Sequence, residues 1–234
     1  PATQRRLDAL GARGSREAVA IDPLHHACYQ TLDSPTGKLV RFVSDPADLE
    51  QTPAGVTRMR LERGMSQRLS IPAFDGLPGY ESARVPNNAT NSSHLRQARP
   101  IEWVADSGRN GTSFNGAEGI SYHELPGSLG TIPSAGTVPT RGVIFFATKG
   151  DNRVWDFEPR TQRLSILYEA ARDPVKQLTG VDNITASRSA DLLVAEDGGN
   201  MELVLLTPDR VASPLLRIVG QNGSEITGPA FDPS

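Results

Sequence analysis

The sequence predicts an all-β protein, organised as a β-propeller of four-stranded antiparallel blades of which about three and a fraction are present. Three observations predict it. Short apolar runs recur between clusters of Pro, Gly, Asp and Ser, the punctuation expected at strand ends. No long stretch carries the 3.6-residue periodicity of an amphipathic helix. Finally, one unit repeats: an acid with a short strand, a more apolar strand ending in a polar turn, then two further strands. Antiparallel four-stranded units in series are the signature of a propeller.

The elements follow in order. "PATQRRLDAL" is expected to form a short helical turn. The first unit reads as strands over "EAVAID" (17–22), "ACYQTL" (27–32), "KLVRFV" (38–43) and "VTRMRLE" (56–62). Residues 63–100 lack apolar periodicity and are expected to be a long connection or insertion. A second set covers "IEWVAD" (101–106), "GISYHE" (119–124), "GVIFFAT" (142–148), "RVWDFEP" (153–159) and "RLSILYEA" (163–170), with a Gly/Pro/Ser/Thr insertion over 125–140. The third set is compact: "VDNITAS" (181–187), "DLLVAED" (191–197), "ELVLLTP" (202–208) and "SPLLRIVG" (213–220). A fourth unit opens at "TGPAFDPS", and the interval from Asp182 to Thr227 is about one blade, roughly 40–50 residues. So few blades do not close a ring, so the expectation is a single propeller segment of a longer protein, or a ring completed by other chains.

Composition narrows the function. The chain has 234 residues, a formal charge of -3 and a pI near 5.8, which gives no basic footprint for nucleic acid. No apolar run approaches the roughly 18 residues of a membrane span. The single cysteine, Cys28, sits inside a strand and reads as a core residue. His25, His26, His94 and His123 lack zinc-ligand spacing, and neither a Gly-x-Ser-x-Gly elbow nor a phosphate-cradling Gly-rich loop occurs.

The acids carry the chemistry. Glu17, Glu118 and Asp182 hold equivalent places at the first strand of each unit, and first strands of a propeller line its central channel. Converging carboxylates repel unless a cation lies between them. Calcium suits such a site, because it takes about six to eight oxygen ligands from carboxylates, Asn amides and carbonyls. Asn183 and Glu225 are further candidates. In "LLVAEDGGNME" the adjacent Glu196 and Asp197 point to opposite sides of their strand. Glu196 is expected to face the channel, and Asp197 to fix the Gly198-Gly199 turn, as Asp33 does in the earlier copy where Leu32 replaces Glu196.

Several stretches together resemble the PhoX-type bacterial alkaline phosphatases: "FNGAEGISYH", "FFATKGDNRVWDFEP", "GVDNITASRSADLLVAEDGGNMELVLLTPD" and "VGQNGSEITGPAFDPS". "REAVAIDP" with "YQTLDSPTGKLVRFV" resembles an earlier blade. The resemblance implies a six-bladed propeller, exported by the twin-arginine route to the periplasm or medium, that hydrolyses phosphate monoesters with calcium, and with iron in well-studied members. It implies a monomer acting on a small-molecule phosphate ester. Carried over by motif, it places Glu118, Asp182, Asn183, Glu196, Asp197 and Glu225 at or near the metal site, with Glu17 as a further match. Leu32 stands where related chains carry an acid, and Cys28 does not match the family's iron-ligating cysteine. Two other readings accompany the phosphatase: a non-catalytic calcium-stabilised propeller used for binding, and a calcium-dependent lactonase-type hydrolase.

Overall fold

The computed structural model describes residues 7–10, 15–72, 98–125 and 141–232. Apart from short 3-10 turns, every regular element among them is a β-strand. The first sheet contains β1 (Arg16–Asp22), β2 (Ala27–Leu32), β3 (Leu39–Ser44), β6 (Gly64–Ser70) and β8 (Glu102–Ala105), in that order. Between β3 and β6 a separate hairpin pairs β4 (Leu49–Gln51) with β5 (Thr57–Met59). The second sheet has the order β7 (Arg99–Pro100), β12 (Arg163–Glu169), β11 (Arg153–Glu158), β10 (Arg141–Thr148) and β9 (Ala117–Leu125). The third runs β13 (Val181–Ala186), β14 (Leu192–Glu196), β15 (Glu202–Leu206) and β16 (Ala212–Arg217). All pairings are antiparallel among the described residues.

The three sheets stack through two apolar layers. β10 shows how the sequence builds them. Successive side chains of a strand face opposite ways, so Ile144 and Phe146 enter the layer against the first sheet, with Tyr29, Leu39, Phe114 and Trp155. Val143, Phe145 and Ala147 enter the layer against the third sheet, with Val181, Val194 and Leu206. Because both faces are covered, β10 reads as a continuous apolar run and not as an alternation. Each buried aromatic ring there contributes about 1.5–3 kcal/mol by leaving water. On the outward side of β1 the pattern alternates instead, and Val19 and Ile21 are exposed.

The first strands of the three sheets lie side by side, with β9 between β1 and β13. Gly119 permits the close approach of β9 to β13. A Cβ at that position would stand 2.5 Å from the Asp182 carbonyl and 2.7 Å from the Ile184 nitrogen, so no larger residue fits without separating the strands.

The strand assignment of the sequence needs two corrections. "VTRMRLE" is not the fourth strand of the first sheet: it is interrupted by Leu61 at φ 59°, and Thr57–Met59 pairs with β4 alone. Its place beside β3 is taken by β6, which lies in the stretch expected to be a connection and buries Leu69 and Ser70. "IEWVAD" does not open the second sheet. Its core, β8, closes the outer edge of the first, where the Trp103 ring meets Arg41 at 4.1 Å. These are tertiary choices, with a polar strand accepted because a ladder was open to it. Residues 73–97 and 126–140, which make up most of the two expected insertions, lie outside the described residues. The expected fourth unit contributes no strand within 218–232. No described helix is long and apolar enough to cross a membrane.

Candidate metal centre

The second residue of each first strand is an acid: Glu17 in β1, Glu118 in β9 and Asp182 in β13. The first residue after each second strand is Asp33, Lys149 or Asp197. Repeated geometry brings these six positions together where the first strands meet. One carboxylate oxygen each from Glu17, Asp33 and Glu118 lie within 4.8 Å of one another. One step along, the Lys149 ammonium lies 3.3 Å from Asp182 and 4.0 Å from Glu118, and it bonds Asp197 as well.

Backbone hydrogen bonds hold the loops that carry these groups. Gly116 N–H donates to the Ser34 carbonyl at 2.9 Å, and Lys149 N–H donates to the Gly116 carbonyl at 2.8 Å. The exit of β2, the entry to β9 and the exit of β10 are thereby tied in series. Asp33 N–H donates to the Ser15 carbonyl at 2.7 Å, which fixes the turn after β2 beside the start of β1.

Glu118 is the most telling group. It is 3% exposed, and its carboxylate accepts no hydrogen bond among the described residues. Burial pushes its pKa up to about 8, and repulsion from Asp182 and Asp33 adds to the shift. Burial also raises Asp182, an effect that Lys149 partly offsets. Burial alone would lower the Lys149 ammonium, but Asp197 and Asp182 raise it above the ordinary lysine range. The centre therefore has an excess of negative charge that Lys149 neutralises only on one side.

The expected residues divide into three groups. Glu17, Glu118, Asp182 and Asp197 are gathered at the centre. Asn183 and Glu225 are beside it: Asn183 Nδ2 donates to Asp182 at 2.8 Å and to Glu225 at 3.1 Å, and Glu225 forms a backbone bridge with Asp197. Glu196 is turned away, which reverses the expectation for the Glu196–Asp197 pair. It is fully buried, and its two oxygens accept Thr179 N–H at 2.7 Å and Glu202 N–H at 2.9 Å. Thus Glu196 fixes the loops around the Gly198-Gly199 turn, and Asp197 faces the Lys149 ammonium. Asp33, expected only to hold a turn, belongs to the acidic group. Lys149 was not anticipated because lysine is not a metal-ligand type; the signal was its position at the strand exit occupied by Asp33 and Asp197 in the other units. Cys28 is buried in β2 and its thiol is pushed up to about 11 by burial, as a core residue.

The oxygens of the Glu17–Asp33–Glu118 group are spaced closely enough to hold one metal ion. Ligand oxygens about 2.3–2.6 Å from one ion lie up to about 5 Å apart. The described donors there are all oxygens, which suits a hard ion and not a thiolate-bound iron.

No protein-family model matches the chain, and no curated protein matches it. Among solved structures, a luciferin-regenerating enzyme aligns over 90% of this chain and 78% of its own, at 10% identity and a TM-score of 0.32. So distant a likeness carries no argument about activity.

Proposed function

We propose that the chain belongs to a calcium-dependent β-propeller phosphatase of the PhoX type, with its metal at Glu17, Asp33 and Glu118. The observation that carries the reading is the convergence of three carboxylates from two sheets, one of them buried and accepting no hydrogen bond. The propeller is supported by the side-by-side first strands and by apolar side chains left on both outward faces, Val19 and Ile21 on one and Leu215 and Leu216 on the other. Further blades would cover such faces.

A divalent cation at this position supplies Lewis-acid polarisation of phosphoryl oxygens. The chain's own groups do the rest. Glu118 gives up its proton as positive charge arrives beside it. Asp33 and Glu17 would hold the ion from the neighbouring sheet. Lys149, whose side chain is about one-third exposed, presents an ammonium that offsets negative charge on a bound ester. Asp182 and Asp197 orient that ammonium. Cys28 is buried within β2 and is not part of the acidic group, so no step is assigned to it. Export to the periplasm or medium and action as a monomer belong to the same proposal.

The test is hydrolysis of p-nitrophenyl phosphate at alkaline pH by the calcium-loaded full-length protein. The reading expects turnover that is lost on chelation and in Glu118→Gln. A protein that calcium stabilises but that hydrolyses no ester would be the binding propeller. Hydrolysis of lactones in place of phosphate esters would assign the hydrolase alternative.

A further inference from the structure

A cavity of about 550 Å³ opens beside the acidic group, with Asp33 on its wall. Its remaining lining includes Lys38, Arg68, Arg109, Ser34 and Ser113. The three cations come from different segments: Lys38 from the turn after β2, Arg68 from β6, and Arg109 from the loop after β8. We propose that this cavity is an oxyanion site, taking a phosphoryl group through Lys38, Arg68 and Arg109 without need of a metal.

Lys38 carries the argument. It is 7% exposed, and its ammonium donates to the Gly111 carbonyl at 2.7 Å and to Ser113 Oγ at 2.8 Å. An ammonium has three N–H donors. The third has no partner among the described residues, and Lys38 lines the cavity. No carboxylate pairs with it among the described residues. Burial, and after it repulsion from Arg68, lowers its pKa to about 8. Asp106 already offsets the arginine, so the buried lysine is the cation whose charge an incoming anion would offset.

Arg68 is partly committed: its Nε donates to Asp106 at 2.6 Å and its Nη1 to the Gly108 carbonyl at 2.9 Å. Those bonds fix the guanidinium and leave Nη2 without a partner among the described residues. Arg109 is exposed on the same loop and makes no hydrogen bond among the described residues. A fork donor, a point charge and an exposed arginine around one cavity suit the several oxygens of a phosphoryl group better than a single carboxylate. The position beside Asp33 would set such an anion next to the proposed metal. The inference deepens the phosphatase reading but stands on groups outside the metal set.

The test is titration of inorganic phosphate into the protein in the presence of EDTA, followed by calorimetry. Chelation separates this site from the metal centre: failure of p-nitrophenyl phosphate hydrolysis with phosphate binding intact would sink only the phosphatase. The expected result is one saturable phosphate per chain, weakened about tenfold in Arg109→Ala, one lost charge-assisted contact. Lys38→Gln should abolish it; because Lys38 also anchors the 111–113 loop, Arg109→Ala, at an exposed position, is the decisive variant. No phosphate binding in EDTA, binding unchanged in Arg109→Ala, or acetate binding as tightly as phosphate would overturn the assignment.

Discussion

The Lys149 ammonium stands 3.3 Å from the Asp182 carboxylate, at the strand exit where the flanking sheets place Asp33 and Asp197. An internal cation thus fills one of two equivalent intersheet positions; the other, between Glu17, Asp33 and Glu118, is the position proposed for a metal. Replacing Lys149 by Met should destabilise the metal-free protein by about 1–2 kcal/mol, because Lys149 is partly solvated and its ion pairs are screened. Lys149→Asp should make the second position a copy of the first and raise calcium stoichiometry by one per chain. Equilibrium dialysis of both variants against the parent checks this.

Glu118 gives the account a pH signature. Its folded pKa is about 8, against 4.5 ordinarily. Between those values the native chain holds a proton that the unfolded chain has released. The stabilisation is fully present below pH 4.5 and is lost as pH rises through 8. The melting temperature of the chelated protein should therefore fall between pH 5 and 8. Glu118→Gln should flatten that fall, and saturating calcium should reverse it, because the ion takes the place of the proton. Thermal scans across the range, with EDTA or calcium, check both.

Glu196 should behave as a structural residue. Glu196→Ala leaves the Thr179 and Glu202 N–H groups without their acceptors, at a cost of about 1–3 kcal/mol. Glu196→Gln should cost less, since one oxygen remains. Neither should change the number of calcium ions bound. A loss of calcium in Glu196→Gln at unchanged stability would contradict its placement away from the centre.

Much of this was legible in the residues. The acid at the second place of each first strand is visible as soon as the units are laid side by side, and so is the apolar run of β10. Asp33 was harder, since Asp before Ser-Pro-Thr-Gly is ordinary turn chemistry. Its role depends on which residue leaves the strand first, and that boundary is set by the ladder. The Glu196–Asp197 pair shows the same limit: alternation separates the two acids but does not say which side meets the other acids. The pairings of β6 and β8 were illegible for another reason. Their pairing is decided by neighbouring sheets, and Trp103 contributes through contacts with Arg41 and Phe157 from distant segments.

The middle sheet has its own test. Arg153 is fully buried and bridges Asp151 at 2.7 Å and Glu169 at 2.6 Å. Arg153→Ala leaves two buried carboxylates without their cation and should cost about 3–5 kcal/mol. The urea midpoint should fall accordingly. Because Asp151 closely follows Lys149, a collateral loss of calcium affinity would show that this network also holds the turn after β10.

Calcium titration of the chelated protein, beside Glu118→Gln and Asp33→Asn, tests the central claim most directly. The account predicts saturable binding by the parent and at least about tenfold weaker binding by each variant, since each removes a charged oxygen ligand from one ion. Absence of calcium binding by the parent, or affinity unchanged in both variants, would contradict it.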